Sequence, residues 1–210
     1  MSEEKIRIGI THGDINGIGY EVIIKGLMDP RILELCVPIV YGSPKVAAYH
    51  RKALNIDNFS FNTINNAEEA SEKRANIINC VDEEIRVELG RSTPSAGESA
   101  FLALEAACKD LRDGKIDALV TGPINKYNIQ SKNFQFNGHT EFLQAFFDAD
   151  EVLMLMVGNL LKVGVVAGHI PMSQLSSFIT KDRILDKLRI MNQSLKEDFG
   201  IRKPRIAVLS

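Results

Sequence analysis

Four short segments bring together residue types able to bind or transform a small anionic molecule. Phe136-Asn137-Gly138-His139-Thr140-Glu141-Phe142 sets a histidine, a hydroxyl and a carboxylate in succession after a glycine. His139 and Thr140 could donate hydrogen bonds to a phosphate or hydroxyl, with Glu141 orienting the imidazole. The same residues suit a helix start with Thr140 as cap and Glu141 near the positive end of the dipole, and the two readings are compatible. Thr121-Gly122-Pro123-Ile124-Asn125-Lys126 follows directly on an apolar run. Open α/β sheets bind ligands at such strand ends, and Lys126 could meet a phosphate or carboxylate as a compact cation, or be a solvated turn lysine.

Thr11-His12-Gly13-Asp14-Ile15-Asn16-Gly17-Ile18-Gly19-Tyr20-Glu21 is a glycine-rich stretch between a strand and a helix, with Asp14 among its polar residues. Its glycines permit close approach of a ligand to backbone N–H groups, or simply close a tight turn. The spacing is neither GxGxxG nor a P-loop, since no Lys-Ser/Thr follows. Gly168-His169-Ile170-Pro171 puts a histidine after a strand, a place suited to a metal ligand, although a lone histidine is more often structural. His12 stays a candidate because it lies in the glycine loop. His50, in Tyr49-His50-Arg51-Lys52, reads as solvated on a charged helix face.

The elements that must hold these residues alternate between strand and helix patterns. Ile6 to Ile10 predicts a buried strand, followed by a helix through Val22, Ile23 and Leu27. Pro38 to Tyr41 predicts a second strand, and Gly42-Ser43-Pro44 turns into a helix carrying Val46 to Leu54. Residues 55–95 are polar and weakly patterned, which fits short strands and loops. Phe101, Leu104, Cys108 and Leu111 form the stripe of an amphipathic helix that Gly114 ends, before a strand over Ile116 to Val120. Val152 to Val157 and Leu161 to Ala167 are two apolar runs around a Gly158-Asn159 turn. Thr180 and Asp182 suit the start of a helix whose buried face is Ile184, Leu188, Met191 and Leu195, closed by Gly200. Arg205 to Leu209 reads as one more strand, after which the chain looks cut short.

Composition narrows the function classes. The chain has 210 residues, 45% hydrophobic and 25% charged, with a net charge of −2. That is enough for one large domain or two small ones. No basic block offers a surface for nucleic acid. No apolar run approaches the roughly 18 residues needed to span a bilayer, and the N-terminus does not read as a signal peptide. Three scattered cysteines form no CxxC pair and fit a reducing cytoplasm.

Taken in order, Gly13-Asp14-x-x-Gly17-Ile18-Gly19-x-Glu21, Ser95-Ala96-Gly97, Val120 to Lys126, Gly138-His139-Thr140-Glu141-Phe142 and Gly168-His169-Ile170-Pro171 resemble the 4-hydroxythreonine-4-phosphate dehydrogenase family. The resemblance runs from Ile6 to Ser210. It implies a three-layer α/β/α fold of the isocitrate/isopropylmalate dehydrogenase type, with two domains around a cleft and the C-terminal part absent from this chain. Residues 1–127 would be a first α/β domain, incomplete without its C-terminal return, and 128–210 part of a second carrying substrate and metal residues.

The resemblance also implies a cytoplasmic homodimer with its active site at the subunit interface. The reaction would be NAD-dependent oxidation and decarboxylation of a phosphorylated hydroxy-amino acid, 4-phosphooxy-L-threonine, to 3-amino-2-oxopropyl phosphate in vitamin B6 biosynthesis. A divalent metal (zinc, magnesium or cobalt) would assist. On the family's pattern His139 and Thr140 contact the substrate, and His169 is one of three histidines binding the metal. Asp14, Lys126 and Glu141 are further candidates within the matched motifs, and no residue is assigned to catalysis or to NAD. Family members run on well beyond the equivalent of Ser210, so the chain by itself is expected to be inactive. His12, Ile15, Asn16 and Tyr20 stand where prolines or alanine are usual. A dehydrogenase of 4-phosphorylated threonate or erythronate, and a truncated non-catalytic phosphate-binding homologue, are the alternatives.

Overall fold

A computed structural model of the chain describes residues 5–209. The chain forms two compact units, the first ending at Leu143 and the second beginning at Gln144. Within the first, β1 (Ile6–Thr11) lies beside β2 (Cys36–Gly42) in parallel, with Ile6 opposite Cys36 and Thr11 opposite Tyr41. All seven residues of β2 are buried, the mark of a strand covered on both faces. β3 (Asn62–Ile64), β4 (Asn76–Asn79) and β5 (Ala118–Thr121) complete a parallel sheet of order β3-β4-β2-β1-β5.

Each βα unit places its helix where an apolar stripe can be covered. α1 (Gly19–Leu27) buries Tyr20, Ile23, Ile24 and Leu27, and α3 (Pro44–Ala53) buries Val46 and Ala47, in one core with Val40 and Ile77. α4 (Pro94–Arg112) covers the other face with Ala103 and Ala107, packed with Val37, Ile39, Tyr41 and Ile116. A short α2 (Arg31–Leu35) precedes β2. The result is the expected three-layer α/β/α arrangement. Helix starts follow the sequence: the Ser43 side chain accepts from Val46 N–H and the Thr93 side chain from Ala96 N–H, each with proline next in line.

The stretch from 55 to 95 does hold two short strands, set by a polar residue rather than by a periodic pattern. Asn76 in β4 is fully buried; its amide donates to the Pro38, Ser71 and Arg74 carbonyls and its oxygen accepts from Asn62 Nδ2 and Ser71 N–H. Residues 128–143, expected in the second domain, pack with the first unit. Phe134 and Phe142 are buried there and set their rings edge-on to Phe101 of α4, at centroid distances of 6.3 and 6.1 Å. An aromatic cluster of this kind holds the segment to α4 and puts the change of unit at 143/144.

α5 (His139–Phe146) carries the chain into the second unit. There β6 (Leu155–Val157) and β7 (Lys162–Gly164) form the expected hairpin, shorter than the apolar runs because only three pairs are in register around the turn closed by Gly158 N–H and the Leu161 carbonyl. A one-turn α6 (Leu175–Phe178) precedes α7 (Lys181–Glu197), which starts at Thr180, whose hydroxyl accepts from Arg183 N–H. The strand expected over Arg205 to Leu209 is not formed. A strand exists only through its neighbour's hydrogen bonds, and no described strand pairs with this segment. Instead it lines an apolar cleft of about 400 Å³ with Leu153, Val163, Ile184 and Leu188.

Candidate active site

The loops after the adjacent parallel strands β1 and β5 meet at the carboxyl edge of the sheet, where open α/β sheets bind ligands. Asp14 N–H donates to the Pro123 carbonyl (2.9 Å) and Gly122 N–H to the Thr11 carbonyl (2.9 Å). Glycine is required for this contact. Gly13 has φ +71°, and a Cβ on it would overlap the Pro123 carbonyl oxygen; one on Gly19 would overlap the His12 carbonyl, and one on Gly122 the Thr11 carbonyl. Of the two readings left open for the glycine loop, the tight turn is therefore what Gly13 and Gly19 serve. Both face protein backbone rather than open space.

The residues that depart from the family's usual loop turn inward together. His12 is fully buried, with Nε2 at 3.1 Å from the Ser99 carbonyl and 3.3 Å from its hydroxyl. Burial holds its pKa down at about 4, against the partial opposition of the Ser99 carbonyl and the Asp14 charge, with His50 adding slightly to the depression. His12 is thus a neutral packing residue. Tyr20 stacks on His50 and sits edge-on to His12, while its hydroxyl donates to the Ser43 carbonyl and accepts from Ser43 N–H. His50, expected to be solvated, is 4% exposed, and its Nε2 donates to the Ile15 carbonyl at 2.8 Å. Its charged neighbours in sequence point elsewhere, because His50 shares a helix face with Val46 and Ala47.

Asp14 is nearly buried, and both of its carboxylate oxygens are engaged. One accepts from Asn16 N–H (2.8 Å), the other from Asn128 Nδ2 (3.0 Å). The second bond ties the β1 loop to the turn that carries Lys126. Asn125 shapes that turn: its side-chain oxygen accepts from Tyr127 N–H (3.0 Å) and its amide donates to Ser92 Oγ (3.1 Å). Gly97, in the first turn of α4, lets the Asn128 carbonyl come close. Asp14, Asn16, Gly17, Arg91, Ser92 and Asn125 line a cavity of about 360 Å³. Asn128 was absent from the sequence candidates; its Oδ1 is buried without a partner among the described residues. The Asn-Lys-Tyr-Asn run after β5 is the one local hint of it.

Lys126, His139 and Glu141 converge around Gly138. The Lys126 ammonium nitrogen lies 3.8 Å, and Glu141 Oε2 3.7 Å, from the place a Cβ on Gly138 would occupy. The Gly138 carbonyl accepts from Phe142 N–H, and α5 begins at His139. Thr140 is therefore inside the first turn and exposed, not the cap. His139 is partly buried, and its Nε2 is buried without a partner. Its pKa lies below the ordinary histidine value, through burial first and the nearby Lys126 charge second. A cation, a buried imidazole nitrogen whose hydrogen-bonding position is unfilled and an exposed hydroxyl at a helix start together suit an oxyanion or a phosphate.

His169 belongs to the second unit. It is exposed and has φ +50°, a left-handed conformation uncommon outside glycine and more often found at functional positions. A divalent metal needs several such donors, and among the described residues no group of three or more His, Cys, Asp or Glu side chains comes together. His169 alone does not make that site. The structure brings Lys126, His139 and Glu141 together in the first unit and joins Asp14 to their loop through Asn128.

Comparison with known proteins places these features in context. A family model described as "Pyridoxal phosphate biosynthetic protein PdxA" matches residues 34–210. A 4-hydroxythreonine-4-phosphate dehydrogenase from Bacteroides thetaiotaomicron is 52% identical over the whole chain, which spans 58% of that relative's length. A relative from Oceanobacillus iheyensis, provisionally named D-threonate 4-phosphate dehydrogenase, is 34% identical over 99% of the chain and 63% of its own length. The crystal structure of a 4-hydroxythreonine-4-phosphate dehydrogenase from Burkholderia phymatum superposes with a TM-score of 0.83 at 28% identity, covering 97% of this chain and 62% of that one.

Proposed function

The chain belongs to the PdxA family of pyridoxal phosphate biosynthetic proteins, and from that premise we propose that it supplies the anion-binding part of a dehydrogenase acting on a phosphorylated four-carbon hydroxy acid. The single observation that carries the site assignment is the buried His139 Nε2, without a partner among the described residues, within electrostatic reach of a Lys126 ammonium that approaches Gly138. The substrate is 4-phosphooxy-L-threonine and the product 3-amino-2-oxopropyl phosphate. When bound in the whole enzyme, NAD would supply the hydride acceptor for the carbinol carbon as its hydroxyl loses a proton, and the resulting β-keto acid would lose CO2.

Lys126 neutralises an anionic group of the substrate, and His139 Nε2 and the Thr140 hydroxyl complete its hydrogen bonds. The Glu141 carboxylate approaches the same Gly138 as the Lys126 ammonium. Asp14 acts at one remove, by holding Asn128 and with it the turn that presents Lys126. His169 is proposed as one metal ligand. Among the described residues no group of three or more His, Cys, Asp or Glu side chains comes together to complete a metal site with it. The whole enzyme is proposed to be a cytoplasmic homodimer with its site at the subunit interface; among the described residues no helix is long and apolar enough to cross a membrane.

The relative from Oceanobacillus iheyensis favours a second substrate, D-threonate 4-phosphate, in which a hydroxyl replaces the amino group. Steady-state assays of the whole protein with each substrate, NAD and a divalent metal separate the two. Turnover of 4-phosphooxy-L-threonine with at least a tenfold higher kcat/KM is the expected result. The reverse preference assigns the threonate substrate, and no turnover of either removes the dehydrogenase assignment.

A further inference from the structure

Lys126 and His139 are poised for mutual electrostatic control. The Lys126 ammonium sits beside Gly138, immediately before His139 in the chain. His139 is the first residue of α5, and its Nε2 is shut off from solvent with no partner among the described residues. The positive charge of Lys126 opposes a second positive charge on the imidazole, an effect that adds to burial. The other charged group on this turn is Glu141, whose Oε2 also approaches Gly138. Through Phe142, α5 packs on the rings of Phe101 of α4 and of Phe134 and Phe136 in the preceding loop. Lys126 is therefore the charge whose neutralisation alters His139 most.

We propose that an anionic ligand seated on Lys126 lets His139 take up one proton at Nε2, so that ligand binding and proton uptake by this chain are linked. The proposal rests on the anion-binding assignment of Lys126 and His139 made above. A doubly charged ligand oxyanion cancels the repulsion from Lys126 and adds an attraction of its own. It also supplies the acceptor that the buried Nε2 lacks. The imidazolium N–H then donates a charge-assisted hydrogen bond to the ligand. Linkage makes the effect reciprocal: the factor by which the ligand favours the proton is the factor by which the proton favours the ligand. Below the His139 midpoint the site holds two cationic groups for a dianion; above it, one.

The test uses the full chain and inorganic sulfate, whose charge stays constant over the range examined, so that any pH dependence belongs to the protein. The imidazole resonances of the four histidines are titrated by NMR with sulfate and with chloride at matched ionic strength, and His139→Asn assigns the resonance of interest. The expected result is an upward shift of the His139 midpoint by about one pH unit in sulfate, with sulfate affinity about tenfold higher below the midpoint than above it. In Lys126→Met the His139 midpoint should already be raised without sulfate, and sulfate should no longer move it. Sulfate binding that depends on Lys126 but leaves the His139 midpoint unchanged overturns the linkage while sparing the anion site. Absence of Lys126-dependent sulfate binding overturns both. If the variant folds poorly, the two titrations of the unaltered chain decide the matter alone.

Discussion

Acidification should strip stability from the first unit chiefly through His12, with the depressed His139 adding in the same direction. In the unfolded chain this imidazole takes its proton near pH 6.5; in the folded chain burial delays that until about pH 4. The folded state therefore binds fewer protons than the unfolded state between those values. The stability that neutral His12 confers is complete above about pH 6.5 and falls away as the pH drops towards 4. The slope approaches one proton, about 1.4 kcal/mol per pH unit, and the loss over the window is roughly 3 kcal/mol. Against a total of about 5–15 kcal/mol for a domain, that is a large fraction. The assay is simple because all four tyrosines, Tyr20, Tyr41, Tyr49 and Tyr127, lie in the first unit and the chain has no tryptophan. Urea unfolding followed by tyrosine fluorescence at several pH values should show the midpoint falling steeply below pH 6.5. In His12→Gln the slope should be shallower by nearly one proton, whatever that variant's stability at neutral pH. Equal slopes for the two proteins would refute the assignment of His12 as a buried neutral group.

Three further perturbations test the surrounding structure. Gly97→Ala drives a methyl group into the Asn128 carbonyl; urea titration should show a loss of about 1–3 kcal/mol, accompanied by weaker sulfate binding. Asn128→Asp replaces the amide that donates to Asp14 with a like charge, so anion affinity by calorimetry should fall several-fold, with partial recovery in Asn128→Gln. Glu151→Gln removes the charge paired with Lys187, whose side chain is only 11% exposed and keeps its bond to the Val152 carbonyl; the second unit should lose on the order of 1–2 kcal/mol, less than for a fully buried pair. The Glu151 carboxyl is held below its usual value, chiefly by the hydrogen bond from Lys187, so this contribution is present above the ordinary carboxylate range and lost as the pH falls below it.

Much of the first unit was legible in the amino-acid order because local and tertiary demands coincide there. The apolar runs around Ile8 and Val40 are strands because both sheet faces are covered, and Ser43-Pro44, Thr93-Pro94 and Thr180 start helices where their chemistry says they should. What escaped depends on partners distant in sequence. β4 is organised by Asn76, a residue a pattern search penalises in a strand. His50 was hidden by its charged neighbours, although its spacing from Val46 and Ala47 places it on their buried face. Arg205 to Leu209 has the composition of a strand but no described neighbour to pair with. In the site, His139, Thr140 and Lys126 were visible as residue types at strand and helix ends. The bond from Asn128 to Asp14 spans 114 positions and could not be read from either segment. Nor could the glycines' role be settled beforehand, since whether a ligand or a carbonyl fills the space opposite Gly13 is decided only by the loop after β5.

The most direct test of the proposed site is calorimetric binding of 4-phosphooxy-L-threonine to the unaltered chain, to His139→Ala and to Lys126→Met, with each protein's unfolding midpoint measured alongside. Loss of a charge-assisted hydrogen bond is worth about 1.5–3 kcal/mol, so affinity should fall by about tenfold or more in each variant while the His139→Ala unfolding free energy stays within about 0.5 kcal/mol. Both variants binding as tightly as the unaltered chain would contradict the placement of the substrate's anion on Lys126 and His139.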